Sequence, residues 1–124
     1  MPIKITLRDA VGFKVKGVVN DETGTPQDFE FFLTAKRLKA GELDDAIKRL
    51  EQPVTVQGEA PSQPYTRATE LLADVITGWQ GVRAEDDTPM PYSADALRTL
   101  CELPGLPMLI VSAYFGEVAA RAKN

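Results

Sequence analysis

Glu85, Asp86 and Asp87 stand side by side within the stretch ITGWQGVRAEDDTPMPYS, residues 76–93. Adjacent carboxylates can hold a hard cation or carry a proton. A calcium loop of the EF-hand kind needs oxygen ligands at alternating positions, a central glycine and a distant bidentate glutamate, and the run EDDTPMPYSADA has no such register. No second acidic pair is tied to a pocket by any sequence signal, which leaves carboxylate catalysis without a partner group. The chain contains no histidine, so the commonest general base and the commonest zinc ligand are both missing. Cys101 is the sole cysteine; a lone thiol on an apolar helix face is usually a small buried hydrophobe rather than a nucleophile. Neither a phosphate-binding glycine loop nor a Gly-x-Ser-x-Gly elbow occurs. The acidic trio therefore reads as a solvated turn, and no catalytic residue, metal or cofactor is expected.

Charge narrows the partners. The net charge is −4, with nine basic and nine acidic side chains in residues 1–52 and five basic against nine acidic in residues 53–124. An acidic second half argues against a protein held on duplex DNA by phosphate contacts. Lys4, Arg8, Lys14 and Lys16 could form a local basic stripe, though the solvent face of two strands accounts for them better. The longest apolar run, Leu103 to Phe115, is too short and too interrupted by proline and glycine to span a bilayer. MPIKITLRD has no apolar segment behind its charges, which predicts a cytoplasmic chain without a secretory signal.

The elements that must position these residues follow from periodicity. A chain of 124 residues, 44% hydrophobic, suits one domain. Ile3, Ile5 and Leu7, then Val11, Phe13 and Val15, then Phe29, Phe31, Leu33 and Ala35 recur at period two, the pattern of half-buried strands. Phe32 interrupts that alternation, and NDETGTPQD is dense in turn formers. The fold class expected is α+β: a small N-terminal antiparallel sheet within residues 1–38, followed by about four α-helices. GELDDAIKRLEQ predicts a helix within 39–52, with acidic residues early and basic residues late as the helix dipole favours. Residues 53–64, with three prolines and a glycine, predict a mobile connection whose VTV core could add an edge strand.

Residues 65–124 read as helical. YTRATELLADVITGW sets Tyr65, Ala68, Leu72, Val75, Ile76 and Trp79 on one helical face, with Gly78 suited to the end. Gly78 or Gly81 can take the left-handed conformation that closes a helix, and the indole of Trp79 is expected to clamp the following connector onto the core. Ser93 caps a short helix carrying Leu97, Leu100 and Cys101, which Pro104 and Gly105 end. In the last helix, Met108 to Phe115 is apolar except for Ser112. Such a helix is either central to the fold or meets another chain, and a small domain has difficulty encircling a helix completely. Met108, Leu109, Ile110, Val111, Tyr114 and Phe115 are accordingly the candidate interface residues, with a homo-oligomer expected.

The order ITGWQGV, acidic turn, PMPYSADALRTL, ELPGL and an apolar helix with SAYFGEVAA resembles the tail assembly chaperones of long-tailed bacteriophages and prophages. The resemblance rests on Gly78, Trp79, Gly81, Val82, Glu85, Asp86, Pro89, Pro91, Tyr92, Ser93, Pro104, Gly105, Ala113 and Tyr114, about the last third of the chain in detail. Asp87 stands where the family pattern has glycine. The resemblance implies an α+β fold, no enzymatic activity, and a protein of the host bacterial cytoplasm that keeps the long tape-measure protein soluble while tail-tube subunits polymerise around it. It also implies a short form ending near RAKN and, through ribosomal slippage, a longer form whose extra domain contacts tail-tube protein. Two other classes stay open: a structural tail component retained in the virion, and a small nucleic-acid-binding regulatory module using the Lys4 to Lys16 face.

Overall fold

The computed structural model describes residues 9–53, 58, 60 and 63–120. The alternating residues form β1 (Ala10–Asn20) and β2 (Pro26–Lys36), an antiparallel hairpin in unbroken register from Ala10 opposite Lys36 to Asn20 opposite Pro26. Its turn is built by Asp21, whose Oδ1 accepts from the amides of Thr23 and Thr25 at 2.9 and 3.0 Å and from the Thr23 hydroxyl at 2.7 Å. Gly24 supplies the left-handed residue at φ 82°. The Thr23 hydroxyl, followed by the two amides, lowers the Asp21 carboxyl to about 2.

Val11, Phe13 and Val15 on β1 and Phe31, Leu33 and Ala35 on β2 are buried on one face. Phe32 does not disturb this order. It faces outward, with its ring across Gly12, where a Cβ would fall 2.5 Å from the Phe32 Cζ. The aromatic run thus serves both faces, and the small residue opposite gives the outer ring its place. The strand expected over Ile3–Leu7 and the edge strand at 54–56 lie outside the described residues, as does most of the connection 53–64.

Four helices complete the fold, α1 (Ala40–Glu51), α2 (Pro64–Val75), α3 (Ala94–Leu100) and α4 (Leu106–Val118): α4 packs against β1, α2 against α4, and α1 and α3 against α2. The α+β class expected from sequence is the architecture observed. The amide of Lys39 donates to the Glu42 carboxylate at 3.0 Å, closing the first turn of α1. Ser93 caps α3, its hydroxyl accepting from the Ala96 amide at 3.0 Å. Arg49 on α1 meets Asp74 on α2 at 2.6 Å, and Arg98 on α3 meets Glu70 on α2 at 3.6 Å. These pairs are half exposed and add little beside the buried apolar contacts.

The helix expected to run through Trp79 ends early. α2 stops at Val75, and Ile76–Gln80 is β3, which pairs antiparallel with β2 to give the order β1-β2-β3. The sheet's third strand therefore comes from the middle of the chain. Ile76 lies opposite Ala35 and Gly78 opposite Thr34, so Thr77 is an extra residue against a single step of β2. That is a β-bulge, and the Thr77 hydroxyl holds it by donating to the Thr34 carbonyl at 3.2 Å. The bulge shifts the phase of the strand, and Ile76 and Trp79, three residues apart, both turn toward the helices. A spacing of three is also the mark of one helical face, which is why the sequence reads as helix there. Tyr65, expected on the inner face of α2, is 57% exposed. It belongs to the exposed first turn of α2, and burial begins only at Ala68.

Candidate partner-binding surface

After β3 the chain turns at Gly81, φ 87°, a conformation in which a side chain is strained. A small hairpin follows, with Arg83 bridged to Pro89, the Ala84 amide donating to the Thr88 carbonyl at 2.9 Å and the Met90 amide to the Val82 carbonyl at 3.0 Å. Asp87 sits at its tip with φ 63°, the left-handed conformation that glycine adopts freely and aspartate better than most residues. The acidic trio is this tip. Asp86 accepts from the Thr88 hydroxyl at 2.6 Å, which lowers its pKa. Arg83 donates to the Asp87 carbonyl at 2.8 Å. No group of three or more metal-capable side chains occurs among the described residues.

Trp79 and Tyr92 fasten this hairpin to the body. The indole N–H donates to the Met90 carbonyl at 2.8 Å, and the Tyr92 hydroxyl donates to the Ile76 carbonyl at 2.9 Å. The two rings meet edge to face at 5.1 Å. Both bonds cross between β3 and the segment leading into α3, so Pro89, Pro91 and Ser93 inherit their positions from them. Gly78 keeps a negative φ inside the strand, and Gly81 alone of this pair takes the left-handed turn.

The structure divides the six residues of α4 that sequence analysis offered as an interface. Ile110 and Tyr114 are fully buried and Val111 nearly so, packed with β1 and α2 in this chain's own core. The Tyr114 ring lies 5.7 Å from that of Phe13, and its hydroxyl donates to the Lys36 carbonyl at the end of β2. Burial pushes the phenol up to about 12. Those three residues cannot meet a partner while the fold is intact. Phe115 is half buried against the core, while Met108 and Leu109 are 48% and 37% exposed. The helix is central on one side and bare on the other, because the sheet and α2 cover only part of its circumference.

Met108 and Leu109 do not stand alone. A Cβ built at Gly17 would lie 3.1 Å from a Leu109 methyl and 2.4 Å from the Phe29 ring, which places Leu109 beside the end of the β1–β2 hairpin. There the hairpin extends past the helices, and Val19 and Leu103 are exposed, with Val18 exposed on the opposite face of the sheet. Next to them opens a groove of about 240 Å³ lined by Val19, Phe29, Val82, Leu100, Leu103 and Leu106. Sequence analysis missed these residues as a group. The signal was present in the alternation, which carries apolar residues on to Val19 and Phe29, beyond what four short helices can cover.

On the opposite face of the sheet, Lys14 and Lys16 both reach Glu30, at 3.2 and 4.0 Å. Lys4 and Arg8, the other members of the basic stripe, lie outside the described residues. Cys101 is buried, and its thiol pKa is raised by desolvation. Among the described residues no helix is long and apolar enough to cross a membrane. No protein-family model, curated protein or solved structure matches the chain.

Proposed function

We propose that this protein is a non-enzymatic tail assembly chaperone of a long-tailed bacteriophage or prophage, acting in the host bacterial cytoplasm on the tape-measure protein. The observation that carries the reading is the resemblance across Gly78 to Ser93 and Pro104 to Tyr114. These residues work together in the fold: Trp79 and Tyr92 tie the connector, Gly81 turns it, Ser93 caps α3, and Tyr114 anchors α4. The family's glycine position is occupied by Asp87, and the left-handed backbone there is the one a glycine would serve. The exposed apolar surface of Val19, Leu103, Met108 and Leu109 supplies what a binder of an aggregation-prone chain needs. On this reading the chain forms a homo-oligomer through the bare side of α4, and tail-tube protein is contacted by a longer form of the same gene product.

The test is co-expression with the tape-measure and tail-tube proteins of the same genome, followed by co-purification and mass spectrometry of assembled particles. The proposal expects soluble tape-measure protein in complex with this chain, tube protein left unbound, and no copies of the chain in finished particles. Recovery of the chain in particles would make it a structural component of the tail. Retention of tube protein without tape-measure protein would overturn the assignment of roles.

A further inference from the structure

The apolar groove lies where a strand is missing. β2 runs from Pro26 to Lys36, but β3 pairs only with Phe32 to Ala35 before Gly81 turns the chain away. Pro26 to Glu30 thus has β1 on one side and, among the described residues, no strand on the other. The peptide groups of that side can be identified. A Cβ on Gly81 would sit 3.6 Å from the Glu30 carbonyl oxygen, so the backbone of Glu30 faces the continuation of β3. Backbone groups alternate sides along a strand, so Asp28 presents its N–H and C=O in the same direction. An unpaired strand edge of this kind is a template for another strand.

The side chains around the edge specify what could pair there. A residue opposite Phe29 would share its face and enter the groove beside Val19, Val82 and Leu103. The groove's volume suits one or two aliphatic side chains. Residues on either side of that one would point to the outer face, next to Asp28 and Glu30. Glu30 already has Lys14 at 3.2 Å, whereas Asp28 makes no ion pair among the described residues and stands opposite the exposed Val18. Arg83, at the far lip, is engaged by Asp87.

We infer that Pro26 to Glu30 of β2 is a docking edge for an extended segment of a partner protein, added as a strand in the line of β3, with an aliphatic side chain in the Val19–Phe29–Leu103 groove and a cationic neighbour beside Asp28. Backbone hydrogen bonds supply the attachment, and the alternation of aliphatic and basic residues supplies the selectivity. A long client that shows such segments repeatedly would be held at many points by one rule. The inference concerns the edge and holds whatever the partner is in the cell.

The experiment uses the full chain and an acetylated, amidated nonapeptide of alternating valine and lysine. Amide hydrogen exchange, read residue by residue, should slow by at least about tenfold at Asp28 and Glu30 on binding, with little change along the β1–β2 ladder. Peptide with alternate backbone amides methylated, or with glutamate in place of lysine, should bind at least about tenfold more weakly. Asp28→Pro removes the outward N–H without touching the ladder to β1 and should abolish the protection. Leu103→Glu, at the groove mouth, should weaken binding while leaving far-UV circular dichroism unchanged. Binding that survives amide methylation would overturn strand addition. Absence of protection at Asp28 and Glu30, or protection already present in the free protein because a second copy covers the edge, would also refute it.

Discussion

Replacing Tyr114 by phenylalanine removes one oxygen atom from the centre of the molecule, and its effect can be worked out from two observations. The Tyr114 hydroxyl donates to the Lys36 carbonyl, and the side chain is fully buried. At neutral pH the variant loses that bond and leaves the carbonyl without its side-chain donor, a cost of about 1–2 kcal/mol. The second observation sets a pH dependence. The folded phenol is raised from an ordinary 10.0 to about 12, so the fold favours the protonated form. The stability this represents is fully present below pH 10 and is lost as pH rises through the folded value. Linkage puts the loss at about 1.4 kcal/mol by pH 11. Wild-type protein should therefore be more stable than Tyr114→Phe at neutral pH, and the gap should close near pH 11. Urea unfolding of both proteins at matched pH values, followed by far-UV circular dichroism, reads the difference directly. Tyr92, also raised by burial, is present in both proteins and cancels. A gap that stays constant from neutral pH to pH 11 would refute the account of Tyr114 as a buried, neutral anchor.

Three further outcomes are expected. Trp79→Ala removes a half-buried indole together with its bond to Met90 and should destabilise by about 2–4 kcal/mol; an unchanged urea midpoint by circular dichroism would show that the connector is held elsewhere. Asp87→Gly relaxes a left-handed residue at the hairpin tip and gives up only an exposed contact to Arg83, so it should stabilise by up to about 1 kcal/mol, measurable as a raised melting temperature. Met108→Glu alters an exposed position and should change stability by less than about 0.5 kcal/mol while shifting the proposed homo-oligomer toward monomer. Sedimentation showing wild-type protein already monomeric at high concentration would remove the oligomer from the proposal.

Where one physical pattern had one structural meaning, the sequence was legible. Val11, Phe13 and Val15 could only be a half-buried strand, Glu42 through Leu50 read as an amphipathic helix, and Ser93 announced its helix with a cap that the Ala96 amide completes. At Ile76 the pattern had two meanings. Helix and bulged strand both bring residues three apart to one face, and the deciding bond, from Thr77 to Thr34, crosses between residues distant in sequence. The apolar composition of α4 was plain, but which side of it the sheet would cover depended on tertiary packing. Hence Ile110, Val111 and Tyr114 went to the core while Met108 and Leu109 stayed at the surface. The groove beside Phe29 was hidden for a related reason: it arises from β3 being shorter than β2, and strand length is set at Gly81 by a backbone turn rather than by side-chain pattern.

The bulge at Thr77 places in β3 one residue that its pairing with β2 does not need. Deleting Thr77 would leave Ile76 and Trp79 two residues apart in a regular ladder, opposite Ala35 and Leu33 as before and both still turned inward, whereas straightening the bulge with Thr77 kept would turn the indole to the outer face, away from Tyr92 and the Met90 carbonyl. The loss of Thr77 should therefore leave the other side chains of β3 on their present faces, a tolerance of length that a comparison of residue types alone would not show.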